Sequence, residues 1–276
     1  MSAFTSNLTV AEHHAIRSVG FSPVGQVLGS CVYSIGYTGT WNCGARYGYG
    51  GYGGGIAGPM YGMGARTVEA TGLRDSLLQA RNTAMQRMRE EAMRVHGDGV
   101  VAVRLTVAPF EGAGLEFRAI GTAVRADGPV RPKLPFTSDL SGQEFANLIT
   151  AGWVPAGLVL GLAVMVRHDD WQTRYQNSSW TNQEVTGYTE LVTQARAAAR
   201  SHLAHDCARY GEGATAVLHD FSLEVGERSC NVGNSEGRDH LAEAMVIGTA
   251  IVPFRHRGGN APVAPLPVLR LSGRNP

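Results

Sequence analysis

The stretch HLAHDC, residues 202–207, gathers side chains that ligate metals. His202 and His205 are three residues apart and His202 and Asp206 four apart, so on a helix the three share one face. Two imidazoles and a carboxylate suit zinc or a similar divalent transition metal. Cys207 adds a thiol but falls on an apolar stripe, where a small buried thiol is the ordinary role. The corresponding positions of an internal repeat, described below, hold Arg87, Glu90, Glu91 and Ala92. The set is therefore not common to both copies, and a solvated helix face is the competing reading. The sequence names no cofactor beyond this divalent metal candidate.

Other chemistry-bearing residues are less ordered. His13 and His14 follow Glu12 near an expected strand start, and adjacent strand residues point to opposite faces. They would not chelate together. His219 alternates with Val217, Phe221 and Leu223, a pattern that predicts a hydrogen-bonded core histidine. SCNVGNSEGRDH, residues 229–240, places Cys230, Glu236, Asp239 and His240 in an expected hairpin loop. Cys31 follows VLGS, but the repeat has Ala163 in its place. Nucleophilic catalysis needs a positioned base and an orienting third group. No GxSxG elbow and no GxGxxG between a strand and a helix occurs, so the sequence predicts no enzyme.

The elements that must position these residues come in two copies. Residues 4–33 align without a gap to residues 136–165, with 12 of 30 positions identical. Shared glycines at 20/152, 25/157 and 29/161 suggest bends or close backbone approaches, and HAIRSVGF and GQVLGSCVYSI read as a bent strand pair. A second match joins residues 73–95 to 188–210. Apolar positions 73, 77, 80, 84, 88, 92 and 95 follow the helical period, and adding 115 reproduces the stripe. Each helix runs into a glycine pair, HGDG (96–99) and YGEG (210–213). VVAVRLTV and TAVLHDFSLEV alternate like strands, and IGTAV and IGTAI close each copy. Each copy thus reads β-α-β-β. One helix covers only one face of so small a sheet. The other face needs the sister copy or another chain.

A VLG strand, an LxxAR helix, a GxDGVV turn and a terminal GTAV strand together resemble the YbjQ family, also called the putative heavy-metal-binding domain family. The likeness covers most of residues 4–126 and, less closely, 136–254. It implies an α+β fold of two tandem YbjQ/dodecin-like β-α-β-β units, each a small antiparallel sheet with one amphipathic helix. It also implies assembly with further copies of the same chain into a ring, typically a pentamer, and no established enzyme activity. The expected division is 1–126, a stiff proline linker at 127–135, 136–254, and a proline- and arginine-rich tail at 255–276.

Between the first strand and first long helix, residues 44–64 hold ten glycines and four tyrosines. Such a stretch reads as a surface loop or as an assembly loop with tyrosine anchors. Its counterpart, residues 168–187, carries Trp171, Tyr175 and Trp180, with Thr181 and Glu184 spaced as a helix start. Lys+Arg and Asp+Glu number 24 and 23, giving a net charge of +1 over 276 residues. No field of one sign exists to draw nucleic acid or anionic lipid. No apolar run is long enough to span a membrane. With no visible signal peptide and four scattered cysteines, the expectation is a cytoplasmic protein that assembles with itself.

Overall fold

The computed structural model describes residues 5–34, 67–110, 114–129, 131–211, 213–232 and 235–253. The glycine- and tyrosine-rich stretch at 44–64, the tail at 255–276, and the side chains of Cys230 and Glu236 lie outside the described residues. In chain order the elements are α1 (Val10–Ser18), β1 (Phe21–Ser34), β2 (Thr67–Glu69), α2 (Thr71–Arg94), β3 (Gly99–Phe110), β4 (Gly114–Ala126), β5 (Phe136–Thr137), α3 (Gly142–Thr150), β6 (Trp153–His168), α4 (Trp171–Asn177), α5 (Thr186–Ala208), β7 (Thr215–Val232) and β8 (Ser235–Pro253). The fold is α+β, with two tandem β-α-β-β units: β1-α2-β3-β4 and β6-α5-β7-β8.

HAIRSVGF, residues 14–21, expected as strand, is helical as far as Ser18: residues 10–18, and 142–150 in the second copy, form short helices. Each starts on a capping box: Thr9 with Glu12, and Ser141 with Glu144, bond reciprocally through side chain and backbone. Two otherwise orphaned amides are satisfied at each start, which fixes the helix locally. His13 and His14 therefore sit in α1, not at a strand start. Each short helix turns into its strand through a glycine in the left-handed region, Gly20 at φ 80° and Gly152 at φ 81°. That conformation costs a side-chain-bearing residue free energy that glycine avoids.

The long strands bulge where the shared Pro-x-Gly predicts a corner, between Pro23 and Gly25 and between Pro155 and Gly157. One sheet runs β1-β4-β3-β5 and the other β2-β6-β8-β7. Each sheet thus borrows an edge from the sister unit. β2 of the first unit pairs antiparallel with β6, and β5, which leads into the second, pairs parallel with β3.

The expected stripe of α2 is buried from Leu73 to Ala92. One core cluster joins α2 to Val27, Val100 and Phe117 of its own sheet and also to Leu158, Leu160 and Val164 of β6. The first unit's helix thus covers the face of the second sheet that α5 leaves open. α5 packs on the opposite face, against Val159, Ala163 and Ala244. A third cluster stacks Phe136 on Phe145, with Phe21 edge-on at 5.1 Å from Phe145.

Two further expectations are corrected. α5 begins at Thr186 with Val185 as its N-cap. Thr181 does not cap it, because its hydroxyl lies 2.8 Å from that of Ser179. His219 is exposed rather than in the core, near Glu144 at 3.9 Å. A register shift between Leu218 and Asp220 breaks the alternation that placed it inside.

Candidate functional site

The two long helices meet their strands through matching polar clamps. At the strand glycines the helix comes so close that a Cβ on Gly29 would overlap the Ala84 carbonyl, and one on Gly161 the Ala199 carbonyl. Two side chains from each helix then reach the strand backbone. The Leu28 amide donates to Glu91 at 2.6 Å, and the Leu160 amide to Asp206 at 3.1 Å. Arg87 donates to the Ser30 carbonyl at 2.6 Å, and His202 Nδ1 to the Leu162 carbonyl at 2.7 Å. Asp206 and His202 thus take the places of Glu91 and Arg87.

That geometry accounts for both ring nitrogens of His202. A carbonyl only accepts, so Nδ1 carries the proton. Nε2 faces the Arg74 guanidinium at 3.4 Å, and Arg74 in turn pairs with Glu69 at 3.1 Å. Asp206 also pairs with Arg209. His205 is exposed. Cys207 is buried against α5's apolar partners, and burial, with the Asp206 carboxylate adding, pushes its thiol above the ordinary range.

A second polar group, only partly flagged by the sequence, sits where β6 and β8 end. Asp239 and His240 lie in β8 rather than in a loop, opposite His168 and Arg167 of β6. His168 Nδ1 is 2.8 Å from Asp239, and His240 Nε2 is 3.0 Å from the Tyr188 hydroxyl and 3.2 Å from Asp169. Arg167 bonds Glu190 at 2.7 Å and Asp170 at 3.3 Å, and Asp170 caps α4 by accepting from the Thr173 amide. Burial, then the Asp169 and Glu227 charges, pushes the Tyr188 phenol above its ordinary value. Asp169, Asp239, Arg167 and His240 are all buried. The group ties two strand ends to the starts of α4 and α5. Its sequence signal was RHDD at 167–170 and RDH at 238–240, two charged runs near the ends of strands that pair.

A third motif recurs as a hydrogen-bonded knot. Ser138 Oγ is 2.9 Å from Thr249 Oγ1, which also accepts from the Asp139 amide, while the Leu140 amide donates to Ser138. In the first unit Ser6, Asn7, Leu8 and Thr122 make the same set. The repeated FTS(N/D)L and GTA motifs are thereby joined.

Residues 63–127, which hold α2, β3 and β4, match the family model described as "Putative heavy-metal-binding". UPF0145 proteins of Halorubrum lacusprofundi and Vibrio campbellii are 42% and 39% identical to it over 57 residues, 21% of this chain and 55% of each relative. This chain thus contains a YbjQ-family region at residues 63–127. It is also similar over nearly its whole length to the encapsulin nanocompartment protein Rv1762c of Mycobacterium tuberculosis, at 30% identity over 97% of this chain and 91% of that protein. No solved structure matches significantly.

The heavy metal in the family's description finds no fitting donor set among the described residues. No three His, Cys, Asp or Glu side chains converge there as ligands. Cys31 and Cys207 are buried on different helix–strand layers. His202 has both nitrogens engaged.

Proposed function

We propose that this chain is a non-catalytic scaffold that assembles with copies of itself into a ring or closed shell. The observation that carries the reading is its near full-length similarity to an encapsulin nanocompartment protein. Two structural facts support it. Around the half-buried Tyr188, the side chains of Arg167, Asp169, Asp239 and His240 are buried, as suits a structural tie rather than a reactive centre. Apolar side chains lie exposed on both sheets, at Leu28, Val32, Leu218 and Val225, as suits surfaces destined for cover. The family resemblance suggests a pentamer of chains, each with units at 1–126 and 136–254 joined by 127–135. The balanced charge fits a cytoplasmic assembly that engages neither nucleic acid nor membrane, and among the described residues no helix is long and apolar enough to cross a bilayer. Light scattering and electron microscopy of the purified full chain test this. Discrete particles of many chains are expected; a mass near the 29.4 kDa of one chain at micromolar concentration would overturn it.

A further inference from the structure

Resting on that self-assembly reading, we infer that the crevice between α5 and β7 receives the N-terminal segment around residues 4–8 of a second copy of this chain. The contact repeats, between chains, one that the two units already make within the chain.

Inside the chain, residues 136–140 lie along the outer edge of β3. Phe136 and Ser138 donate amides to the carbonyls of Asp98 and Val100, and the amides of Val103 and Ala102 donate to the carbonyls of Ser138 and Leu140. Thr137 lies against α2, where Arg89 reaches its hydroxyl at 3.1 Å. The strand thus fills the crevice between α2 and β3, and Val100 and Val101 are sealed at 0% exposure.

Each part of this arrangement has an unused duplicate. Strand register against β4 and β8 equates Gly99, Val100 and Val101 with Thr215, Ala216 and Val217. β7 is the last strand of its sheet, and its Leu218 is 56% exposed. The crevice there is an open cavity of about 640 Å³, lined by Leu203, Cys207, Ala214 and Ala216 among others. It is not an identical mould. Thr215 stands where Gly99 admits the Phe136 ring, and Ala204 stands where Arg89 reaches Thr137. The free space has shifted from strand towards helix.

The duplicate strand is FTSNL, residues 4–8, against FTSDL, residues 136–140. Phe4 lies outside the described residues. Ser6 and Asn7 are held to Thr122 as Ser138 and Asp139 are held to Thr249. Yet among the described residues the Ser6 amide and the carbonyls of Ser6 and Leu8 have no backbone partner. Because that knot holds the segment on the first sheet, it does not reach its own chain's β7. The unpaired strand belongs to the first unit and the open crevice to the second. Such a head-to-tail contact closes into a ring or runs on as a filament, according to its rotation.

Parallel pairing places Thr137 opposite Val100, which equates to Thr5 of one copy opposite Ala216 of the next. Neighbouring strands bring Cα atoms within disulfide reach. In a background of Cys43→Ser, Cys207→Ala and Cys230→Ser, which removes the native thiol lining the crevice, the double variant Thr5→Cys/Ala216→Cys is oxidised and run under non-reducing conditions. A ladder of cross-linked chains is expected from the double variant, with each single variant staying at one chain. Independently, Ala216→Arg should fill the crevice and give particles of lower mass with an unchanged circular dichroism spectrum. A parent protein that is itself monomeric would overturn the self-assembly reading and this inference together. An assembled parent whose double variant yields no ladder, and whose folded Ala216→Arg variant keeps full size, would overturn this inference alone. Cross-linking by either single variant would indicate a two-fold contact and also overturn it.

Discussion

Equivalent positions in the two units differ most in what covers them. Leu160 and Val164 on β6 are 8% and 1% exposed, because α2 of the first unit lies on them; Leu28 and Val32, their counterparts on β1, are 45% and 50% exposed. The asymmetry reverses at the other end, where β3 is sealed by residues 136–140 and β7 is open. Among the described residues, one unit therefore lacks a partner on the β1 side and the other on the β7 side. The pair inside the chain is one step of a head-to-tail series. The same fold, stopped after two units, leaves one complementary surface at each end.

Helix–strand packing should be insensitive to that asymmetry, which makes it the control with the largest effect. Gly29→Ala and Gly161→Ala each drive a Cβ into a helix carbonyl that cannot move without the whole helix. Each should cost about 3 kcal/mol or more by urea titration. Strongly unequal losses would break the equivalence of the two layers.

The shared interface should separate the units. Arg81 is buried, 5.4 Å from the centre of the Phe117 ring, and pairs with Glu243 of β8 at 3.0 Å. The counterpart of Glu243 is Glu116, which pairs at 3.4 Å with the half-exposed Arg118. Removing one partner of a buried pair leaves an uncompensated charge, whereas surface pairs contribute little. Glu243→Ala should cost about 2 kcal/mol, the Glu243 side chain being itself 31% exposed. Glu116→Ala should change stability by less than about 0.5 kcal/mol. Equal losses in thermal melts would mean that the interface between the units is not packed as described.

The clamps are a finer test. His202→Ala and Arg87→Ala each remove one bond from helix to strand carbonyl, a loss of about 1 kcal/mol. The His202→Ala/His205→Ala double variant should still fold, and a chelator should leave its parent's melting temperature unchanged. A chelator that unfolds the parent would make a bound metal structural.

Much of this was legible in the sequence because it is local or repeated. The stripe of α2 and α5 and the glycine corners of β1 and β6 follow from spacing. The short helices were also written locally, as TVAE at 9–12 and SGQE at 141–144, but the apolar alternation of the neighbouring strand masked those capping boxes. Other features are set by tertiary partners. Nothing around Phe136 and Thr137 says that they pair with β3, since that choice is made by an edge more than thirty residues away in sequence. His202 offers ligand chemistry in the sequence, and only the position of the Leu162 carbonyl shows how its proton is used. His219 alternates correctly as far as the bulge at Leu218, which no local signal announces.

The smallest expected effect lies in the knots, which share three bonds but differ by one ionisable group. Asp139 stands where the first unit has Asn7. It is buried, with one carboxylate oxygen lacking a partner and the other accepting from Thr249. Burial raises its pKa, outweighing the hydrogen bond from Thr249 that would lower it. A carboxyl whose pKa is raised on folding supplies stability that is fully present below its unfolded pKa. That stability is lost as pH rises through the folded value. Ionised Asp139 is therefore a cost at neutral pH. Asp139→Asn removes the titration while keeping the side-chain shape that Asn7 shows the knot accepts. The variant should be more stable than the parent at pH 7 by under about 1 kcal/mol, and the two should converge as pH falls below the ordinary aspartate range. Asn7→Asp, placed at an exposed position, should show no such pH dependence. Melts from pH 3 to 8 decide it: a parent that gains stability over Asp139→Asn as pH rises would show that Thr249 and the nearby His219 stabilise the charge more than burial opposes it.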